Sequence, residues 1–223
     1  LHEIRENPVA PYEIDEVTRL IEGDLHKAKF TQVANWTVAE LREYILRPEQ
    51  DGEALLQLGR GLTSECIAAV TKLMTNMDLL IAASKIRVVT HANTTLGLRD
   101  RFSVRLQPNH PTDAPVGMIA STMEGLSWGS GDALIGVNPV TDTAEGTIAV
   151  LQQLHEFTRT WNVPTQHCCL AHVTTQMEAL RLGCPMDVLF QSLAGSEISC
   201  NAFGITNDML DEASAMIQEQ STA

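Results

Sequence analysis

From residue 101 onward, apolar segments of strand length alternate with segments of helical periodicity, and this alternation limits the folds open to the chain. Each predicted strand is mostly apolar, as expected for strands that are covered on both faces. A strand, a helix and a second strand in succession form a βαβ unit, whose two strands are parallel. We predict four strands, at 102–107, 132–138, 166–172 and 187–193, each followed by a helix, at 115–128, 143–161, 174–182 and 206–218. The pattern therefore predicts a parallel sheet, either doubly wound or closed as a (β/α)8 barrel.

Polar residues at the carboxyl ends of these strands favour the barrel, because the active sites of (β/α)8 barrels are built there. A dinucleotide-binding sheet is disfavoured: the glycine-rich segment 129–131 precedes a strand, whereas the phosphate-binding fingerprint follows a strand and opens a helix. The predicted fold class is therefore α/β, a (β/α)8 TIM barrel of which this chain covers about the first four βα units. The polar strand-end residues are Gln107, Asn138, His172 and Gln191 with Ser192.

The first hundred residues have helical patterns and no strand alternation. We predict a helix over Tyr12–Glu22, a helix capped by Thr37 with Glu40 in a capping box, and a long amphipathic helix over Thr63–Ala83. The chain should thus comprise a helical N-terminal region at 1–100 and the first half of a barrel at 101–223.

Half a barrel would leave two unpaired strand edges. The remaining strands must then come from sequence beyond these 223 residues or from another copy of the chain, and we favour a truncated or cleaved polypeptide.

Composition excludes several classes of partner. A formal charge of −13 argues against nucleic acid and anionic membranes, which require clustered cations. Five cysteines, an odd number, do not suggest a secreted disulfide framework, and neither a signal peptide nor an apolar run long enough to span a membrane is evident. We expect a cytoplasmic protein with reduced thiols.

The residues with the clearest chemical meaning are Arg105, Gln107 and Asn138. Arg105 and Gln107 are two positions apart on one predicted strand, so both side chains should project from the same face. Asn138 ends the next strand, and the carboxyl ends of parallel strands meet at one edge of the sheet. We predict that a guanidinium and two carboxamides converge on a small polar molecule, without a protein nucleophile.

A metal site is not predicted. The candidate ligands lack the spacing of known motifs, since the chain has no C-x-x-C pair and no H-E-x-x-H helix. A buried thiol and a hydrogen-bonded histidine are the commoner outcomes for such residues. The candidates are His110, Asp113, His167, Cys168 and His172.

Seven segments, in order along the chain, carry a further pattern: NPVAPYEIDEVTRLI at 7–21, NWTVAELREYIL at 35–46, GLTSECIAAV at 61–70, RLQPNHPTD at 105–113, EGLSWGSGDALIGVNPVTD at 124–142, PTQHCCLAHVTTQMEALRLG at 164–183 and FQSLAGSE at 190–197. Together they resemble the large subunit of ethanolamine ammonia-lyase. The resemblance implies a (β/α)8 barrel behind a helical region, with adenosylcobalamin (coenzyme B12) over the barrel mouth. It also implies a separate small subunit, further large subunits in a hetero-oligomer, and a bacterial microcompartment as a candidate location.

In that family an adenosyl radical abstracts hydrogen from the carbinol carbon of ethanolamine, and amino migration then yields acetaldehyde and ammonia. Carried over, Arg105 and Asn138 would bind the substrate hydroxyl, with Arg105 also catalytic, and Gln107 would contact the amino group. Ser192 and Phe203 would approach the adenosyl group of the cofactor.

The chain also departs from the family pattern. Ala202 stands where a polar residue is expected, and the glutamate and aspartate that the family takes from later strands are not in this sequence. The resemblance therefore implies that a polypeptide ending here is inactive by itself.

Two other functions remain open at this point. A barrel aldolase or isomerase could use Arg105 to hold a small anionic substrate, although no lysine or metal ligands stand at the strand ends. A non-catalytic truncated remnant could act in assembly.

Overall fold

A computed structural model describes residues 1–7 and 14–222. Of the helix predicted over Tyr12–Glu22, Tyr12 and Glu13 lie outside the described residues; the helix begins at Glu16, where Asp15 caps it. The chain forms two compact units, Leu1–Val88 with Gly195–Glu197 and Val89–Ala194 with Ile198–Ala223.

Unit 1 is helical. Its core is a cluster of fully buried side chains, among them Phe30, Leu41, Cys66 and Val70. The capping box predicted at Thr37 is confirmed: Glu40 N donates to Thr37 Oγ1 at 3.1 Å, and Thr37 N donates to Glu40 Oε2 at 2.7 Å. The helices are α1 (His2–Glu6), α2 (Glu16–Asp24), α3 (Lys27–Val33), α4 (Val38–Leu46), α5 (Gly52–Gly59), α6 (Ser64–Lys72) and α7 (Asn76–Lys85).

The single long helix predicted over Thr63–Ala83 is wrong. The structure has α6 and α7 instead, because Thr75 caps a new helix start. Thr75 Oγ1 accepts from Asp78 N at 3.2 Å, and the Asp78 carboxylate accepts from Thr75 N at 2.9 Å. The apolar periodicity continues across this break, which is why the pattern alone did not reveal it.

Unit 2 combines helices with short strands. The predicted helices at 115–128, 143–161, 174–182 and 206–218 are confirmed, the last extending further along the chain. An antiparallel hairpin and a short helix after residue 196 were not predicted. The elements are β1 (Thr90–His91), β2 (Thr95–Leu96), β3 (Arg105–Leu106), α8 (Pro115–Ser127), β4 (Leu134–Val137), α9 (Ala144–Thr160), β5 (His167–Cys169), α10 (Val173–Arg181), α11 (Glu197–Ala202) and α12 (Asn207–Thr222).

Strands β3, β4 and β5 form a parallel sheet in sequential order, joined by α8 and α9. Arg105 pairs with Leu134, and Gly136 pairs with Cys168. The face of the sheet that carries Ile135 and Val137 packs on the helices and forms the main core of unit 2. The opposite face carries Arg105, Gly136 and Cys168.

The fourth strand, predicted at 187–193, is wrong: the segment has no regular secondary structure and pairs with no strand among the described residues. Side chains satisfy its backbone instead, as Phe190 N donates to Gln176 Oε1 at 3.1 Å and Gln176 Nε2 donates to Phe190 O at 2.5 Å. The apolar pattern of the segment suggested a buried strand, but its residues are half-buried or exposed, and its hydrogen bonds depend on a residue of the preceding helix.

Candidate functional site

Arg105 and Gln107 lie together, as the two-residue spacing predicted. Arg105 Nη2 donates to Gln107 Oε1 at 3.4 Å, and both side chains are exposed. A bond of this length is weak, so the amide oxygen keeps capacity for a further donor.

Gly136 makes room for the Arg105 guanidinium on the neighbouring strand. A Cβ atom at Gly136 would lie 3.2 Å from Arg105 Nε and 3.1 Å from Cys168 Sγ. Any side chain there would therefore push against the arginine. The signal in the sequence was a glycine inside an apolar strand, which often marks a close approach, but its neighbour was unknown before the register was seen.

Asn138 follows β4 at the same edge of the sheet, and its side chain is exposed. Continuing the register places Gln107 opposite Gly136, so Asn138 lies two residues further in the strand direction. Asn138 N donates to Asn109 Oδ1 at 2.9 Å, and Val140 N donates to Asp113 Oδ2 at 2.8 Å. These bonds tie the loop after β3 to the end of β4, so the segments that carry Gln107 and Asn138 are held together.

An aromatic ring and a buried thiol adjoin Arg105. The Arg105 Cζ atom lies 5.6 Å from the centre of the Phe190 ring, within the range of a cation–π contact. Burial raises the pKa of Cys168 to about 11, against the opposing effect of the Arg105 charge. The thiol is therefore neutral at physiological pH and acts as an apolar neighbour of the guanidinium. Sequence reasoning missed the role of Phe190.

The two residues predicted for the cofactor lie at the surface. Ser192 is exposed, and its carbonyl accepts from Gln191 Nε2 at 2.9 Å. Phe203 has a 69% exposed side chain, and its carbonyl lies 2.9 Å from His172 Nε2. Neither makes a hydrogen bond or ring contact with Arg105, Gln107 or Asn138 in the described part of the chain.

The candidate metal ligands are engaged elsewhere. His110 Nδ1 accepts from the backbone of the following turn, Asp113 binds the backbone after β4, and His172 caps α10. Across residues 1–7 and 14–222, no three His, Cys, Asp or Glu side chains are grouped so that they could hold a metal ion.

A second polar cluster surrounds His167, which is fully buried in β5. His167 Nδ1 lies 2.8 Å from Asp187 Oδ2, and the His155 ring centre lies 5.7 Å from that of His167. Burial opposes ionisation of Asp187, but the hydrogen bonds from His167 and Asn93 outweigh it and hold the pKa of Asp187 below its ordinary value. Burial, together with the neighbouring His167, lowers the pKa of His155. The cluster borders a cavity of about 550 Å³.

The chain is thus a mixed helix and sheet protein whose parallel sheet carries the exposed side chains of Arg105, Gln107 and Asn138 at its carboxyl end. The family model described as "Ethanolamine ammonia lyase large subunit (EutB)" matches residues 1–223. The chain is 48% identical over 214 residues to the ethanolamine ammonia-lyase large subunit of Escherichia coli K12, covering 96% of this chain and 47% of that protein. Identity to the large subunit of Salmonella typhimurium is 47%, with the same coverage.

The chain therefore belongs to the ethanolamine ammonia-lyase large-subunit family, which confirms the resemblance seen in the sequence. It spans about half the length of the curated relatives that it matches. No helix among the described residues is long and apolar enough to cross a membrane.

Proposed function

We propose that the protein to which this chain belongs is the catalytic large subunit of an adenosylcobalamin-dependent ethanolamine ammonia-lyase, which converts ethanolamine to acetaldehyde and ammonia. The observation that carries the proposal is the placement of Arg105 beside Gln107 at the edge of the sheet, over the space that Gly136 leaves. Family membership over the whole chain supports it. The sequential order of β3, β4 and β5 supports a (β/α)8 barrel as the complete fold.

In this proposal Arg105 donates hydrogen bonds to the hydroxyl oxygen of the substrate. A fixed guanidinium stabilises negative charge that builds on that oxygen during rearrangement. Gln107 Oε1, which makes only a long bond to Arg105, accepts from the substrate ammonium group. The side-chain amide of Asn138 gives the hydroxyl a second hydrogen-bond partner. Neutral amides hold an ammonium group without reacting with it, so this arrangement binds ethanolamine without a protein nucleophile.

The residues proposed for the cofactor are chemically suited to an adenosyl group. Ser192 has an exposed hydroxyl for a ribose oxygen, and Phe203 has an exposed ring that could stack on adenine. Bound adenosylcobalamin supplies the radical that removes hydrogen from the carbinol carbon. The same proposal includes a small subunit and further large subunits as partners. It places the protein in the cytoplasm, with a bacterial microcompartment as a candidate site within it.

The proposal is tested by assaying acetaldehyde from ethanolamine with the full-length protein, the small subunit and adenosylcobalamin. We expect turnover by the wild type and a loss of about 10²–10³-fold in kcat for Arg105→Ala, the usual effect of removing one such donor. Arg101→Ala, which removes an exposed arginine four residues earlier, is the matched control and should keep full turnover.

Thermal unfolding of Arg105→Ala should match the wild type because Arg105 is exposed. Full activity of that variant, or its failure to fold, would contradict the role given to Arg105. No acetaldehyde from the wild type would contradict the proposed function and leave the non-catalytic remnant or another barrel enzyme in its place.

A further inference from the structure

Gln176 occupies an unusual position for a polar residue. It lies in α10 with none of its side chain exposed, and each polar atom of its amide is used. Gln176 Nε2 donates to Ala171 O at 2.6 Å and to Phe190 O at 2.5 Å, while Gln176 Oε1 accepts from Phe190 N at 3.1 Å. The side-chain amide thus pairs with both backbone groups of Phe190, as the backbone of a neighbouring strand would.

Further side chains fix the same segment at either side of Phe190. Asp187 Oδ2 accepts from His167 N at 3.0 Å, and Gln191 Oε1 accepts from Val173 N at 2.8 Å. Neither of these bonds involves the backbone of Phe190, whose hydrogen bonds both go to Gln176. The two hydrogen bonds of the Phe190 backbone therefore depend on one buried amide, that of Gln176.

The ring of Phe190 is the link to the candidate site, since its centre lies 5.6 Å from the Arg105 guanidinium carbon. A ring face at this distance attracts the cation and restricts the directions in which the guanidinium can point. Gly136, on the neighbouring strand, lies against the Arg105 guanidinium and limits where it can move. A shift of the Phe190 backbone would move one of the two groups that orient Arg105.

We propose that Gln176 is a positioning residue for the reaction: it fixes Phe190, and through that ring it fixes the direction of Arg105. The effect on the kinetics rests on the proposed function, whereas the placement of Phe190 by Gln176 does not. Gln176 itself is not placed in contact with the substrate. A buried amide with every hydrogen bond satisfied sets a unique local geometry, and losing it leaves the Phe190 N–H and C=O without partners.

The test uses the full-length holoenzyme with Gln176→Met, which keeps a side chain of similar length and removes all three hydrogen bonds. 4-Fluorophenylalanine incorporated only at position 190 reports the place of the ring by ¹⁹F NMR. We expect the resonance to shift or broaden in Gln176→Met and the kcat for ethanolamine to fall by up to about 100-fold, the effect on rate of misplacing a reacting group by about 1 Å. Gln152→Met, at an exposed glutamine of α9, is the matched control and should change neither quantity.

Two further variants keep the test decisive. Phe190→Leu should reproduce the fall in kcat, because it removes the ring while leaving the bonds from Gln176 to the backbone. If Gln176→Met does not fold, Gln176→Glu retains an acceptor for Phe190 N and should give a change in the same direction.

An unchanged ¹⁹F resonance in the Gln176 variants would overturn the inference. So would a shifted resonance with unchanged kcat, because Gln176 would then be only structural. If the wild type forms no acetaldehyde, the proposed function fails, while the ¹⁹F comparison still decides whether Gln176 positions Phe190.

Discussion

Cys168 and Cys169 are adjacent in β5 but lie in different surroundings. Cys168 faces Gly136 and Arg105, whereas Cys169 Sγ lies 4.0 Å from Thr147 Oγ1 of α9. Burial raises the pKa of Cys168 to about 11 and that of Cys169 to about 12. Both residues therefore serve as small packing groups, and neither is suited to act as a nucleophile.

We expect both thiols to resist alkylation in the native protein. With a pKa near 11, only about one thiol in a thousand is ionised at about pH 8, and neither side chain is accessible. Peptide mass spectrometry after iodoacetamide treatment should find Cys168 and Cys169 unmodified in the native protein and modified in guanidinium chloride. Rapid modification of the native protein would show that β5 is not buried as described.

His155 should make stability depend on pH. Its pKa is lowered in the folded state, so the unfolded chain takes up the proton first as the pH falls below about 6.5. The free energy of unfolding should therefore decrease between about pH 7.5 and pH 5.5. Urea titrations should show a smaller decrease for His155→Gln, whereas the exposed-residue control His26→Gln should behave as the wild type.

Asp187 acts in a lower pH range. The pKa of Asp187 is lowered in the folded state. Its contribution to the free energy of unfolding is therefore present above the unfolded pKa near 3.9 and is lost as the pH falls through the folded pKa.

An identical pH dependence in His155→Gln and the wild type would contradict the environment assigned to His155.

At the scale of elements, residues at the helix ends explain where the helices of unit 2 begin. The helix predicted at 143–161 is found at Ala144–Thr160, because Thr143 caps it through a bond from Gly146 N. The helix predicted at 115–128 begins at Pro115, where proline is favoured. Such signals lie within a few residues of the helix end, so the sequence displays them directly.

Non-local contacts account for what the sequence did not show. Arg105 and Gln107 could be paired from their spacing, and Asn138 could be brought to the same edge from the βαβ pattern. The roles of Phe190 and Gly136 depended on which residues lie against them in the folded chain, and both lie against Arg105. The state of segment 187–193 depended on Gln176, whose amide replaces a strand partner and whose sequence neighbours give no sign of it.

The cap at Thr75 should hold the start of α7. Thr75→Ala removes the acceptor for Asp78 N and should lower the free energy of unfolding by about 1 kcal/mol. Urea unfolding measures this change, and amide exchange should accelerate in the first turn of α7. Thr31→Ala, at an exposed threonine within α3, is the control and should not destabilise the protein. An unchanged unfolding midpoint for Thr75→Ala would mean that α7 does not depend on this cap.

At the scale of the whole molecule, the chain is about half the length of its curated relatives. Strands β3 and β5 each pair only with β4 within the described residues, so each leaves one edge without a strand partner there. We propose that the rest of the polypeptide supplies those partners and closes the barrel. The substrate site would then be enclosed by strands of both halves.

In the proposed function, Arg105 and Asn138 act on one substrate molecule. A double-mutant cycle on kcat/KM for ethanolamine, with Arg105→Ala, Asn138→Ala and the double variant of the full-length holoenzyme, tests it most directly. We predict a coupling energy of at least about 0.5 kcal/mol, since two groups that bind one hydroxyl are not independent. Asn138→Ala alone should cost about 1–3 kcal/mol. Effects that add within about 0.3 kcal/mol would place the two residues at separate sites and contradict the account.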